Sequence, residues 1–148
     1  MSRIKALLEK AYQGKSAIER SYSPFPLEIY SECGAAEVAE IISRLDQLCE
    51  DKRNIEDWDG DASDDIWKAQ YNFSQLLEKL TPEYPKQVVA GLKSHEEGTR
   101  FWVAHAFTQS PNPYVVSELK DYLRGSMVEH HKEVAVAALE ACQNTSAR

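Results

Sequence analysis

Apolar residues recur at helical spacing along most of the chain. Val38, Ile41, Ile42, Leu45, Leu48 and Cys49 follow an i, i+3, i+4, i+7 pattern, and so do Ile66, Ala69, Phe73, Leu76, Leu77 and Leu80. Nearer the N-terminus, Ile4, Leu7, Leu8, Ala11 and Ile18 outline a further amphipathic face. Each stripe predicts a helix that buries one side. Asp61 or Ser63 can cap the helix that carries Phe73, and Asp64 and Asp65 in its first turn suit the positive end of the dipole. Thr81-Pro82 ends that helix, and Asn112-Pro113 restarts the chain with an N-cap residue followed by proline at the first helical position. Two segments interrupt the periodicity. Residues 21–32 hold Pro24 and Pro26 and then alternate apolar with polar, which predicts a loop across the helices with a short extended piece. Residues 54–65 predict an acidic connection between helices.

The last third of the chain reads as one helical hairpin written twice. Val88, Val89 and Leu92 recur 27 positions later as Val115, Val116 and Leu119. Arg100, Trp102, Ala106 and Phe107 recur 32 positions later as Lys132, Val134, Ala138 and Leu139, and the difference is a longer turn around Arg124-Gly125-Ser126. The first helix of each copy is amphipathic. The second is apolar on most sides, through Phe101 to Phe107 and through Val134 to Cys142, which predicts a buried helix. Repeated helix pairs bury their apolar faces by stacking on one another. No run of strands is legible, so the expectation is an all-α fold of about seven helices in a single domain, residues 1–148. Residues 1–80 would supply N-terminal helices and the acidic loop, and residues 81–148 the two hairpins.

Charge sharpens this picture. The formal net charge is -7, and residues 54–65 alone carry six acids and no base. Glu56, Asp57, Asp59, Asp61, Asp64 and Asp65 therefore hold nearly all of it, with Trp58 among them. A chain charged in this way is poorly suited to a phosphate backbone and well suited to a cationic protein. Its 43% hydrophobic and 28% charged residues are those of a soluble globular protein. Residues 1–10 are interrupted by charge and lack the apolar stretch of an export signal. No run reaches the roughly 20 apolar residues that span a bilayer. Three widely spaced cysteines, Cys33, Cys49 and Cys142, read as reduced thiols, and the expected location is cytoplasmic.

The doubled pattern of Val-Val-x-x-Leu, then a basic residue, then alanine-rich packing resembles HEAT-like helical repeats. The resemblance covers about 60 residues and implies stacked hairpins capped by the N-terminal helices. It departs from the family pattern at Phe101 and Trp102, where small residues are usual. A small acidic helical-repeat protein also resembles in type the bacterial immunity proteins of contact-dependent growth-inhibition and related polymorphic toxin systems. That resemblance implies a partner, a cognate toxin such as a cationic nuclease.

Catalytic chemistry is not expected. Asp57, Asp59, Asp61 and Asp65 fall at positions 1, 3, 5 and 9 of a calcium loop, but Ala62 stands where its glycine belongs and Lys68 where its bidentate glutamate belongs. His130-His131 reads as a polar helix start, His105 as a hydrogen-bonded core histidine, and His95-Glu96-Glu97 as a turn. The bases Lys86, Lys93, Arg100, Lys120, Arg124 and Lys132 are offset by neighbouring acids, against nucleic-acid binding. The expectation is a non-catalytic protein binder with no metal, cofactor, nucleic acid or membrane partner. Glu56, Asp57, Trp58, Asp59, Asp61, Asp64 and Asp65 would form its binding site. A generic repeat scaffold with a peptide groove, and a small metal-dependent enzyme using the acidic loop, are the alternatives.

Overall fold

The apolar stripes become helices where the sequence places them. In the computed structural model, residues 27–55 and 60–145 are described, with side chains from Tyr30 to Ile55 and from Ile66 to Thr145. A 3-10 turn, Leu27–Glu32, leads into α1, Ala35–Asn54, and then α2, Gly60–Leu80. Helix α3, Pro85–Val89, continues as a 3-10 turn, Ala90–Lys93, and is followed by α4, Glu97–Gln109. A 3-10 turn at Pro113–Val115 opens α5, Val116–Leu123, and α6 spans Glu129–Asn144. The described residues contain no strand. None of their helices is long and apolar enough to cross a membrane.

The helices pack as three consecutive pairs, α1 with α2, α3 with α4, and α5 with α6. Contacts between pairs include like-to-like ones, and α1 also touches α4 while α2 touches α3. Helix α1 touches α3, and the turn after α3 touches α5, while α2 touches α4 and α4 touches α6. The six helices thus pack on one another through all three pairs. Between them lies a single core that includes Ile41, Leu45, Leu48, Phe73, Leu76, Leu77, Phe107 and Leu119, all essentially free of solvent contact. Both copies of the sequence repeat feed this core, through Val88, Val89 and Leu92 and then Val115 and Leu119.

Local signals behave as their chemistry demands. Asn112 accepts the Tyr114 N–H at 2.9 Å and donates to the Thr81 carbonyl at 3.4 Å, so one side chain caps a turn and ties it to the end of α2. Gly91 lets the end of α3 approach both α1 and α4. A Cβ there would stand 2.6 Å from Val103 Cγ2 and 3.3 Å from Ile42 Cδ1. All three cysteines are buried, and none is joined in a disulfide among the described residues.

Four expectations need correction. Six α-helices, rather than about seven, are present among the described residues, and the predicted N-terminal helix lies outside them. Leu27–Glu32 is a 3-10 turn rather than an extended piece. Helix α2 begins at Gly60, so Asp61, Ser63, Asp64 and Asp65 lie inside a helix, not in a loop or at its cap. Helix α6 is not buried on most sides: Val136 and Ala137 are exposed beside Glu133 and Glu140, because no described residue covers its outer face.

Candidate functional site

Helix α2 turns Ile66, Ala69, Phe73, Leu76 and Leu77 into the core. Trp67 and Tyr71 sit one turn apart beside that stripe, 53% and 38% exposed. Their rings stack with centroids 5.4 Å apart and planes only 11° from parallel. Trp67 meets the buried Trp102 of α4 edge-on at 6.2 Å, and Phe101 meets Trp102 edge-on at 5.2 Å. From α6, His131 and His130 lie 4.8 and 5.3 Å from the Phe101 ring. A row of rings therefore runs from α2 over α4 to α6. Exposed aromatic pairs of this kind favour partner contact, since they offer large area with little rotamer entropy to lose.

The row borders an open groove of about 510 Å³, whose other wall comes from the end of α1 and the start of α4. That wall is held by a polar network. Asp46 Oδ1 accepts from Ser94 Oγ at 2.5 Å and Thr99 Oγ1 at 2.6 Å, which fastens α1 to the start of α4. Ser94 Oγ in turn accepts the Glu96 N–H at 3.0 Å. Arg53 grips the buried Glu96 carboxylate with two bonds of 2.5 and 2.9 Å. Those bonds hold the Glu96 carboxyl below the ordinary carboxylate range. His131 Nδ1 stands 3.2 Å from Glu97 Oε1. Burial pushes the His131 pKa down, more than Glu97 pulls it up, so the imidazole is neutral at pH 7.

Cys49 lines the groove, with its Sγ 3.8 Å from Thr99 Oγ1 and 3.9 Å from Gln70 Nε2. Burial raises its pKa, so it stays a thiol rather than the thiolate that nucleophilic attack needs. Among the described residues, no group of three or more His, Cys, Asp or Glu side chains is placed to hold a metal. The groove's resources are aromatic faces, two carboxylates and paired charge.

The predicted binding residues divide. Glu56, Asp57, Trp58 and Asp59 lie outside the described residues. Asp61, Asp64 and Asp65 fall in the first two turns of α2, directly before Trp67 in the same helix, and their side chains lie outside the described set. Because residues 60–68 are helical, positions 4 to 12 of the supposed calcium loop cannot wrap an ion. His105 is half-buried against Phe101 and Trp102, and among the described residues its Nδ1 has no hydrogen-bond partner, contrary to expectation. The bases of the repeats are partly spent within the fold: Lys86 bonds Glu118 at 2.7 Å, Arg124 bonds Asp121 at 2.9 Å, and Arg100 bonds the Ser94 carbonyl at 2.6 Å.

Sequence reasoning missed Trp67, Tyr71 and the Arg53–Glu96 pair. One signal pointed to the first two, namely aromatic residues at i and i+4 beside a complete apolar stripe. Comparison of the chain with protein-family models, curated proteins and solved structures finds no match.

Proposed function

We propose that this chain is a non-catalytic protein-binding protein of HEAT-like build, and specifically an immunity protein that neutralises a cationic toxin such as a nuclease. The HEAT-like reading draws its support from three consecutive packed helix pairs and from the doubled Val-Val-x-x-Leu pattern. The observation that carries the binding reading is the half-open Trp67–Tyr71 stack beside the groove, in the helix that the acidic run leads into. An aromatic anchor supplies affinity, and flanking carboxylates speed encounter with a basic partner. Such a protein works by covering the toxin's basic active surface, so it needs no chemistry of its own.

The test begins from the gene immediately upstream, whose product is the candidate toxin. Its expression alone should arrest growth, co-expression with this chain should restore growth, and the two proteins should co-purify. Trp67→Ala should weaken both rescue and co-purification while the far-UV circular dichroism stays helical. A neighbour that is harmless, or that this chain neither binds nor neutralises, removes the immunity reading.

A further inference from the structure

The groove also carries information about what enters it. Its aromatic wall is Trp67, Phe101 and Trp102, and its acidic wall is Glu96 and Glu97. The two carboxylates are not equivalent. Glu96 is buried and already gripped by Arg53, whereas the Glu97 side chain is 47% exposed and leans on His131. Since His131 is neutral at pH 7, that contact does not offset the charge of Glu97, and the nearby Arg100 is held to the Ser94 carbonyl at 2.6 Å. Arg53, although it lines the groove, has its charge committed to Glu96. Lys52 is the remaining base on the wall, and it is exposed. Asp64 and Asp65 stand within one turn of Trp67 along α2. An open carboxylate facing aromatic rings is the environment that selects a cation with a flat face. A guanidinium stacks on rings and bonds a carboxylate through two parallel N–H groups, whereas an ammonium does neither as well.

We infer that the groove is the receptor for an arginine side chain of the partner protein, stacked against Trp67 and Phe101 and paired with Glu97. This rests on the proposed function and names the chemistry its partner must present. The arginine also explains why the groove is left open in the free protein. The site is complete except for the cation, and Glu97 trades a neutral imidazole for a charged fork. Lys52 opposes the incoming cation, so its charge sets an upper bound on the affinity.

The probe is the blocked tripeptide acetyl-Gly-Arg-Gly-amide, titrated into the intact chain while the tryptophan indole N–H signals are followed by NMR. Saturable shifts at the Trp67 and Trp102 indoles are expected, with a dissociation constant on the order of millimolar for so small a ligand. Replacing arginine by citrulline, which keeps shape but not charge, should weaken binding about tenfold, as should Glu97→Gln. Trp67→Ala should abolish the shift at Trp102, and Lys52→Glu should tighten binding. Trp67 and Glu97 are partly exposed, so both variants should keep the parent's helical spectrum and melting temperature. Equal response to citrulline, no saturable shift with arginine, or a preference for acetyl-Gly-Glu-Gly-amide would overturn the inference. The last result would mean that Lys52 and Arg53 face an acidic partner instead. Toxin capture separates the two levels. If the toxin is bound and the tripeptide is not, the arginine receptor fails and the proposed function stands. If the tripeptide is bound and the toxin is not, the receptor stands and the immunity reading fails.

Discussion

Gly91→Ala measures how closely the end of α3 approaches α4. The new Cβ would lie 2.6 Å from Val103 Cγ2, well inside the roughly 3.5–4.0 Å of an ordinary carbon contact. Ile42 Cδ1, at 3.3 Å, is the end of a flexible side chain and can move aside. Val103 cannot, because it is β-branched on a helix, where one rotamer dominates, and it is fully buried. Overpacking of this kind costs about 1–3 kcal/mol. Against that, replacing glycine by alanine in a compatible backbone stabilises by about 0.4–1 kcal/mol through the unfolded chain. The net expectation is a loss of about 1–2 kcal/mol, read by urea denaturation with an unchanged m-value. Val103→Ala alone should cost on the order of 2 kcal/mol for the lost methyls and their cavity. In the double variant the new methyl occupies that space, so the two losses should fall short of their sum by about 1 kcal/mol. Strict additivity, or a Gly91→Ala protein as stable as the parent, would refute the close approach of α3 to α4.

Trp102→Ala should cost about 3–5 kcal/mol, as a buried aromatic does, and a loss under about 1 kcal/mol would mean the ring is not core. Glu96 titrates lower in the folded than in the unfolded chain, so it stabilises the fold above the unfolded carboxyl value of about 4.3. That contribution is lost as pH falls below this value and through the folded one, and acid titration of Arg53→Met should show a smaller loss over the same window. Converting Asp57, Asp59, Asp61 and Asp64 together to Asn should slow association with the toxin at low salt, and the deficit should shrink as added salt shortens the screening length. Because Asp61 and Asp64 lie in the first two turns of α2, the same variant should also lose about 0.3–1 kcal/mol of stability per dipole contact. Unchanged association at low salt would make the acidic run a mere solvated helix start. Calorimetric titration with calcium or zinc should show no site tighter than about 0.1 mM. A micromolar site lost on Asp59→Asn would revive the metal-dependent alternative.

The fold was legible where periodicity and punctuation agree. Val38 to Cys49 and Ile66 to Leu80 each present a single complete stripe, and Thr81-Pro82 and Asn112-Pro113 stop and restart the chain by backbone chemistry that depends on no tertiary contact. The start of α2 was misplaced for the opposite reason. Asp61, Ser63 and Asp64 favour a cap in isolation, but acids are equally at home in the first turn of a helix, and the helix extends back to Gly60. Helix α6 misled through composition. Val134 to Cys142 is apolar enough to be buried on all sides, yet one face of α6 has no neighbour among the described residues, and alanine tolerates exposure at small cost.

The groove was illegible for a deeper reason, because its parts are separate in sequence and ambiguous one at a time. Phe101 and Trp102 read as core, and Trp102 is core; the same ring closes the floor that Trp67 overhangs. His130 and His131 read as a polar helix start, which they are, and only the approach of α6 to α4 lays them against Phe101. Arg53 and Glu96 lie 43 positions apart and meet because α1 ends where α4 begins. Pairing sets Arg53 against Glu96, burial lowers the His131 pKa, and Glu97 lines the same groove as the rings. Net charge along the chain directed attention to the acidic run, but a run of carboxylates attracts any cation and recognises none. Specificity requires a charge with a shape around it, which is why the proposed receptor is sought where Glu97, Trp67 and Phe101 line one groove.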